Sequence, residues 1–91
     1  MWTWDKGKKR LNQQKHRLSF STAQLVFDDR LALSRLDDFS YEDRWQTIGM
    51  IDPNIIIVIH TLPEREGKTG RIISARKAST HERRLYEEGN F

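Results

Sequence analysis

Cysteine is absent from this sequence of 91 residues, and so is any long hydrophobic run. Without cysteine the chain has no disulfide, no thiolate nucleophile and no cysteine-based metal site. Its longest apolar run, Ile55 to Ile59, is far too short to cross a bilayer, and the first residues lack the apolar core of a signal peptide. We therefore expect a soluble, intracellular protein that does not bind a membrane.

The sequence also lacks the common catalytic motifs. It contains no P-loop, no dinucleotide-binding fingerprint, no H-E-x-x-H pair and no serine nucleophile elbow. Its three histidines, at positions 16, 60 and 81, follow no zinc-site spacing. These absences argue against nucleotide-dependent phosphotransfer, hydride transfer and zinc hydrolysis, and we expect neither a metal ion nor a cofactor.

Charge is unevenly distributed along the chain, although the formal net charge is only +3. Residues 6–17 contain six lysine or arginine side chains and no acid, whereas residues 28–43 contain six acids and two bases. The basic segment would bind a polyanion, although the same distribution of charge is also found where both segments are simply exposed to solvent.

Hydrophobic periodicity predicts one α+β domain spanning residues 1–91. The predicted elements are a short strand at 2–4, helices from 5 to about 16 and from 19 to about 27, strands at 31–38, 44–51, 54–62 and 70–76, and a final helix. Short links favour hairpins, so we expect an antiparallel sheet of four to five strands, with residues 55–59 in its central strand, packed with two N-terminal helices and one C-terminal helix. Ser79 and Glu82 form a capping box at the start of the final helix, and Gly89 ends it.

Polar and basic residues recur on one face of the first predicted helix. Lys8, Asn12 and His16 are four residues apart, and Lys15 lies beside them because it follows Lys8 by seven positions. We expect Lys8, Lys15 and His16 to bind a polyanion such as an RNA backbone.

A second group of polar residues follows the last predicted strand. Strand alternation places Ile72, Ser74 and Arg76 on one face and Arg71, Ile73 and Ala75 on the other. Guanidinium groups match phosphate oxygens, so Arg76, Arg83 and Tyr86 would form a phosphate site if their part of the final helix lies over the strand end. Salt bridges to Glu82, Glu87 and Glu88 that only anchor the helix to the sheet would account for these residues as well.

Candidates for proton transfer are less distinct. His60 ends the central strand, and Glu64 lies beside Arg65 in the following loop. Tyr86 is a phenol that nearby arginines would make more acidic. The alternatives are a hydrogen-bonded histidine at a strand end and a salt bridge within the loop.

Two segments of the chain carry a family resemblance. The pattern W-D-x-x-K-x-x-x-N-x-x-K-H-x-x-S-F is matched by Trp4, Asp5, Lys8, Asn12, Lys15, His16, Ser19 and Phe20, and RIISARKAS and ERRLYEEG match nearer the C-terminus. On these residues the chain resembles the BrnT family of type II toxin ribonucleases, small bacterial proteins with a RelE-like fold. Two positions depart from the family pattern. Lys6 replaces a common proline, and Arg17 stands where the family tends to glycine, which would strain the helix end if its φ is positive.

The resemblance implies a bacterial cytoplasmic endoribonuclease that cuts RNA without metal or cofactor and so inhibits translation. It also implies a cognate BrnA-like antitoxin with a ribbon-helix-helix part. The expected assembly is a heterotetramer of two toxins and two antitoxins, which contacts operator DNA only through the antitoxin.

RNA cleavage of this kind needs cations for the phosphate and groups that move protons. Arg76 and Arg83, assisted by Arg65, are expected to neutralise the phosphate, and the candidates for proton transfer are Glu64, His60 and Tyr86. Two other interpretations stay open: a non-catalytic nucleic-acid-binding module, and a protein-interaction domain whose arginines bind an acidic partner.

Overall fold

The computed structural model describes residues 2–38, 43–62 and 70–91, and it confirms the α+β architecture. The elements in chain order are β1 (Thr3–Trp4), α1 (Lys6–His16), α2 (Phe20–Ala23), a 3₁₀ helix (Gln24–Asp28), β2 (Leu33–Leu36), β3 (Trp45–Ile51), β4 (Asn54–His60), β5 (Arg71–Lys77) and α3 (Thr80–Glu87). The predicted second helix is therefore one α-helical turn continued by a 3₁₀ helix. None of the helices in these ranges combines the length and apolar composition that crossing a bilayer requires.

The five strands form one sheet in the order β1-β5-β4-β3-β2. Strands β2 to β5 pair antiparallel with their neighbours in sequence, and β4 lies at the centre, as predicted. β1 is the exception, because it runs parallel to β5 and pairs Thr3 with Arg71 and Trp4 with Ile72. Most of the chain separates these two strands, so no hairpin fixes their relative direction. The sheet is thus mixed, and mostly antiparallel.

Helices from the two ends of the chain cover opposite faces of the sheet. On one face, Phe20, Ala23 and Val26 are fully buried against β4 and β5. On the other face, Tyr86 of α3 packs against three isoleucines, Ile48, Ile55 and Ile57. Burying a side chain as large as that of Phe20 contributes about 2–3 kcal/mol to stability.

A β-bulge in β5 changes which residues share a face. Ile59 pairs with Ser74, but the next residue, His60, pairs with Ile72, so one residue of β5 has no counterpart in β4. Ile72 and Ala75 consequently belong to the same buried cluster, although strict alternation placed them on opposite faces. That prediction is wrong because alternation does not continue through a bulge. Ser74 pairs with Ile59 of β4, and Arg76 pairs with Ile57. Because both isoleucines lie on the face that α3 covers, Ser74 and Arg76 share that face.

The predicted helix ends are confirmed. The Asp5 carboxylate accepts a hydrogen bond from the backbone N–H three residues later, and Ser79 and Glu82 form the complete capping box. Gly89 has φ of 68°, the left-handed conformation expected of a glycine that ends a helix. Arg17 ends α1 in the same conformation with φ of 53°, so the strain expected of a non-glycine residue is present there.

Candidate functional site

A cleft of about 330 Å³ lies between α1 and the sheet. It is lined by Lys8, Leu11, Asn12, Lys15, His16, Arg44, Ile73 and Ser74. Two ammonium groups, one guanidinium and one imidazole thus surround a space of the size that small-molecule sites occupy. Among the described residues, no carboxylate lines this cleft. Basic side chains from two segments, α1 and the residue before β3, gather in this cleft and make it suitable for an anion.

Asn12 fixes the distance between α1 and β5. Its side chain is almost fully buried, and its Oδ1 accepts a hydrogen bond of 3.0 Å from the backbone N–H of Ala75. Its Nδ2 donates at 3.1 Å to the carbonyl oxygen of Leu18, just beyond the end of the helix. Since β1 pairs only with the start of β5, α1 and its asparagine occupy the place beside the rest of that strand. The two hydrogen bonds of the amide therefore fix α1, which forms one side of the cleft, to β5 and to the residues that follow the helix.

The basic face predicted for α1 is the face that lines this cleft. Lys8, Lys15 and His16, predicted from their spacing, all contribute to the lining, and His16 is half-buried at the last turn of the helix. Arg44 and Ser74 also line the cleft, but sequence reasoning missed them as site residues. They come from segments far apart in the chain, and no spacing rule connects an arginine before β3 or a serine within β5 to a helix near the N-terminus.

Arg76 is held by Glu82 through two parallel hydrogen bonds. Nη1 donates to Oε1 at 2.7 Å, and Nη2 donates to Oε2 at 2.9 Å. Oε1 also accepts from the backbone N–H of Ser79 at 2.8 Å. The hydrogen bonds from Arg76 lower the pKa of Glu82 to about 2, and the same pairing raises the pKa of Arg76. The pair anchors α3 to β5, as the structural alternative expected, while the Arg76 side chain stays 36% exposed.

Tyr86 is bound to an acid and not to an arginine. Tyr86 is buried, and its hydroxyl donates at 2.5 Å to Oδ2 of Asp29. Burial, and to a smaller extent the hydrogen bond to Asp29, raises the pKa of Tyr86 to about 12. The expectation that arginines make the phenol more acidic is therefore wrong, because an acid and not a cation accompanies it. Arg83 lies exposed on α3, directly after the glutamate that holds Arg76.

His60 is a structural residue at the end of β4. It is only 2% exposed, and the rings of Trp2 and Phe27 meet it edge-on at centroid distances of 5.0 and 4.9 Å. Nδ1 lies 3.0 Å from the carbonyl oxygen of Thr61 and must donate to it, so Nε2 accepts from the hydroxyl of Thr47 at 2.6 Å. Burial lowers the pKa of His60. A ring with both nitrogens hydrogen-bonded and almost no exposed surface is inaccessible to a substrate, so His60 does not fit the catalytic role predicted for it.

Glu64 and Arg65 lie outside the described residues. Within the described ranges, no group of three or more histidine and acidic side chains is arranged to hold a metal ion.

The chain matches the model of a known protein family. The family model described as "Ribonuclease toxin, BrnT, of type II toxin-antitoxin system" matches residues 4–82, most of the chain. The matched range contains α1, strands β2 to β5 and the Arg76–Glu82 pair. No curated protein matches the chain.

Proposed function

We propose that this chain, which belongs to the BrnT family of type II toxin-antitoxin ribonucleases, is an endoribonuclease that cleaves RNA without a metal ion and so inhibits translation. The family supplies the class of reaction. The observation that carries the proposal for this chain is the cleft beside α1, whose lining brings together Lys8, Lys15 and His16 of the helix with Arg44. An RNA backbone presents the phosphate charges that such a cleft attracts.

The reaction that we propose uses the RNA's own 2′-hydroxyl as the nucleophile. Its oxygen attacks the adjacent phosphorus, the bond from phosphorus to the 5′-oxygen breaks, and the products carry a 2′,3′-cyclic phosphate and a 5′-hydroxyl. Negative charge grows on the phosphate oxygens during this step. Donors aimed at such charge contribute on the order of 3 kcal/mol each to lowering the barrier.

Arg76 and Arg83 are the proposed donors for that charge. Ser74 lines the cleft, and Arg76 is the next residue of β5 that points to the same face of the sheet. Glu82 binds one edge of the guanidinium and thereby fixes its orientation without removing its exposed N–H groups. Arg83 lies exposed on α3, directly after Glu82 in the sequence. Arg65 as an assisting cation and Glu64 as a proton-transfer group remain part of the proposal, whereas His60 and Tyr86 are removed from it.

Lys8, Lys15 and His16 are proposed to bind the RNA strand. Each phosphate contact releases condensed counterions, so affinity falls as salt rises, with a slope of about −0.7 per contact for single strands. Lys15→Gln should therefore weaken binding at low salt and flatten the salt dependence by about one contact.

The test of catalysis uses purified protein, labelled RNA and a chelator. We expect cleavage by the wild-type protein and none of an RNA whose 2′-hydroxyls are replaced by hydrogen. Arg83→Gln should lower the cleavage rate about 100-fold, as should a double variant, Arg76→Gln with Glu82→Gln, that leaves no unpaired carboxylate. Arg84→Gln, which changes the neighbouring exposed arginine of α3, is the matched control.

The same variants are to be expressed in bacteria and checked for folding by circular dichroism. We expect Arg83→Gln and the double variant to relieve growth arrest while they stay folded. If both remain fully toxic, the role assigned to the two arginines is wrong. If the wild-type protein shifts labelled RNA in a gel but leaves its length unchanged, the chain is a nucleic-acid-binding module and not a nuclease.

Membership of a type II family implies a cognate antitoxin. We propose a BrnA-like antitoxin with a ribbon-helix-helix part, a complex of two toxins and two antitoxins, and contact with operator DNA only through the antitoxin, all in the bacterial cytoplasm. Light scattering of the co-expressed pair measures the mass of the complex. A heterodimer of one toxin and one antitoxin would contradict the proposed stoichiometry.

A further inference from the structure

The proposed reaction needs a group that takes the proton of the 2′-hydroxyl, and the cleft restricts the choice. Its lining, in the described part of the chain, consists of two ammonium groups, one guanidinium, one amide, one hydroxyl, two apolar side chains and the imidazole of His16. Ammonium and guanidinium groups donate but do not accept, while amides and hydroxyls are too weakly basic to take a proton from an alcohol. Imidazole is the side chain that serves most often as a general base.

The backbone on both sides of His16 is held in place. It stands one turn after Asn12, whose two hydrogen bonds hold the helix to β5 on one side and to Leu18 on the other. The clamp therefore fixes the chain both before and after the histidine. Arg17 follows in the left-handed conformation and ends the helix directly behind His16. Such a conformation in a non-glycine residue costs about 1–2 kcal/mol, and strain of this kind collects at functional sites.

We infer that His16 is the general base of the cleavage step, and that Asn12 is the residue that positions it. A ring nitrogen of neutral His16 accepts the proton of the 2′-hydroxyl as the bond from the 2′-oxygen to phosphorus forms. The bond from phosphorus to the 5′-oxygen breaks, and that oxygen takes a proton from a lysine ammonium of the cleft. Water then returns the proton from the imidazolium to the lysine, so the enzyme ends the cycle unchanged. This inference rests on the proposed function.

The experiment compares the wild-type protein with His16→Gln and His16→Ala on an RNA oligonucleotide in chelator. We expect His16→Gln to lower the single-turnover cleavage rate by about 10²- to 10⁴-fold, the usual contribution of a general base. Affinity for an uncleavable 2′-deoxy analogue should change by no more than about threefold, as the loss of one contact predicts. For His16→Ala, which leaves room in the cleft, added imidazole should restore part of the rate in proportion to its concentration.

A second substrate separates the base from the acid. An RNA with sulfur in place of the bridging 5′-oxygen has a leaving group that departs without a proton. If His16 is the base, its variants stay as impaired on this substrate as on ordinary RNA. If His16→Gln regains the wild-type rate with sulfur present, the residue is an acid and the inference is overturned.

The remaining outcomes are equally distinct. His81→Gln replaces an exposed histidine of α3 and should cleave at the wild-type rate. If His16→Gln, shown to be folded by its thermal midpoint, cleaves as fast as wild type at saturating protein, then His16 only binds RNA and the inference fails while the proposed function stands. If the wild-type protein cuts neither free RNA nor RNA on translating ribosomes, the proposed function itself fails and the inference fails with it. Should glutamine prevent folding, the alanine variant and its response to imidazole decide.

Discussion

Replacing Glu82 by glutamine tests how strongly α3 is held to the sheet. The amide keeps an oxygen that accepts from the N–H of Ser79, so the variant isolates the charge pair with Arg76. Hydrogen bonds with Arg76 first, and with Ser79 to a smaller extent, lower the pKa of Glu82 from 4.5 to about 2. A tenfold change in proton affinity corresponds to about 1.4 kcal/mol, so the whole shift corresponds to about 3 kcal/mol, of which the pair with Arg76 supplies the largest part. Because the Arg76 side chain is 36% exposed, solvent screening reduces this, and we expect Glu82→Gln to lose about 2 kcal/mol at pH 7.

The pH dependence follows from the direction of the pKa change. The folded pKa of Glu82 lies below the unfolded one, so the contribution is fully present above about pH 4.5 and is lost as the pH falls towards 2. The assay is urea unfolding of both proteins at pH 7 and pH 3, where the difference should shrink to less than about half. Glu87→Gln, in an exposed position of the same helix, is the control and should change stability by no more than about 0.5 kcal/mol. Equal midpoints for Glu82→Gln and wild type at pH 7, or a difference that does not change with pH, would refute the reasoning.

Two further predictions concern the ends of α1 and β4. Arg17→Gly should raise the free energy of unfolding by about 0.5–1 kcal/mol, because glycine adopts φ of 53° without strain. The control is Arg10→Gly in the middle of the same helix, which should lower the free energy of unfolding by about 1 kcal/mol. Urea unfolding measures both variants, and a loss of stability in Arg17→Gly would contradict the prediction. Burial lowers the pKa of His60 below 6.5, so the unfolded chain binds its proton before the folded one does and stability falls as the pH drops below about 6.5. Unfolding free energies between pH 7 and pH 5 should therefore decline more steeply for the wild type than for His60→Gln, and parallel curves would exclude this linkage.

Predictions based on short sequence distances agree well with the structure. The capping box at Ser79 and Glu82 needs only residues three apart, and the face shared by Lys8 and His16 needs only one helical turn. The meander of β2 to β5 likewise follows from short links. What failed was alternation through the bulge of β5, where one extra residue moves its neighbours to the other face.

The site itself required contacts that no local pattern contains. An asparagine on a polar helix gives no sign that it binds the backbone of a strand 63 residues away, as Asn12 binds Ala75. Tyr86 was equally ambiguous, because the charge that sets its pKa comes from Asp29, 57 residues earlier in the chain.

The sequence alone determined the element types, the helix ends, the basic face of α1 and the family to which the chain belongs, because periodicity, capping and motif spacing act over a few residues. Only the tertiary structure decided which side chains meet. It placed Arg44 and Ser74 in the same cleft as His16, paired Arg76 with Glu82, and buried His60 and Tyr86, which do not line that cleft. The physical reason is that accessibility, pKa and hydrogen-bond partners depend on neighbours in space, and these are fixed only when distant segments pack together.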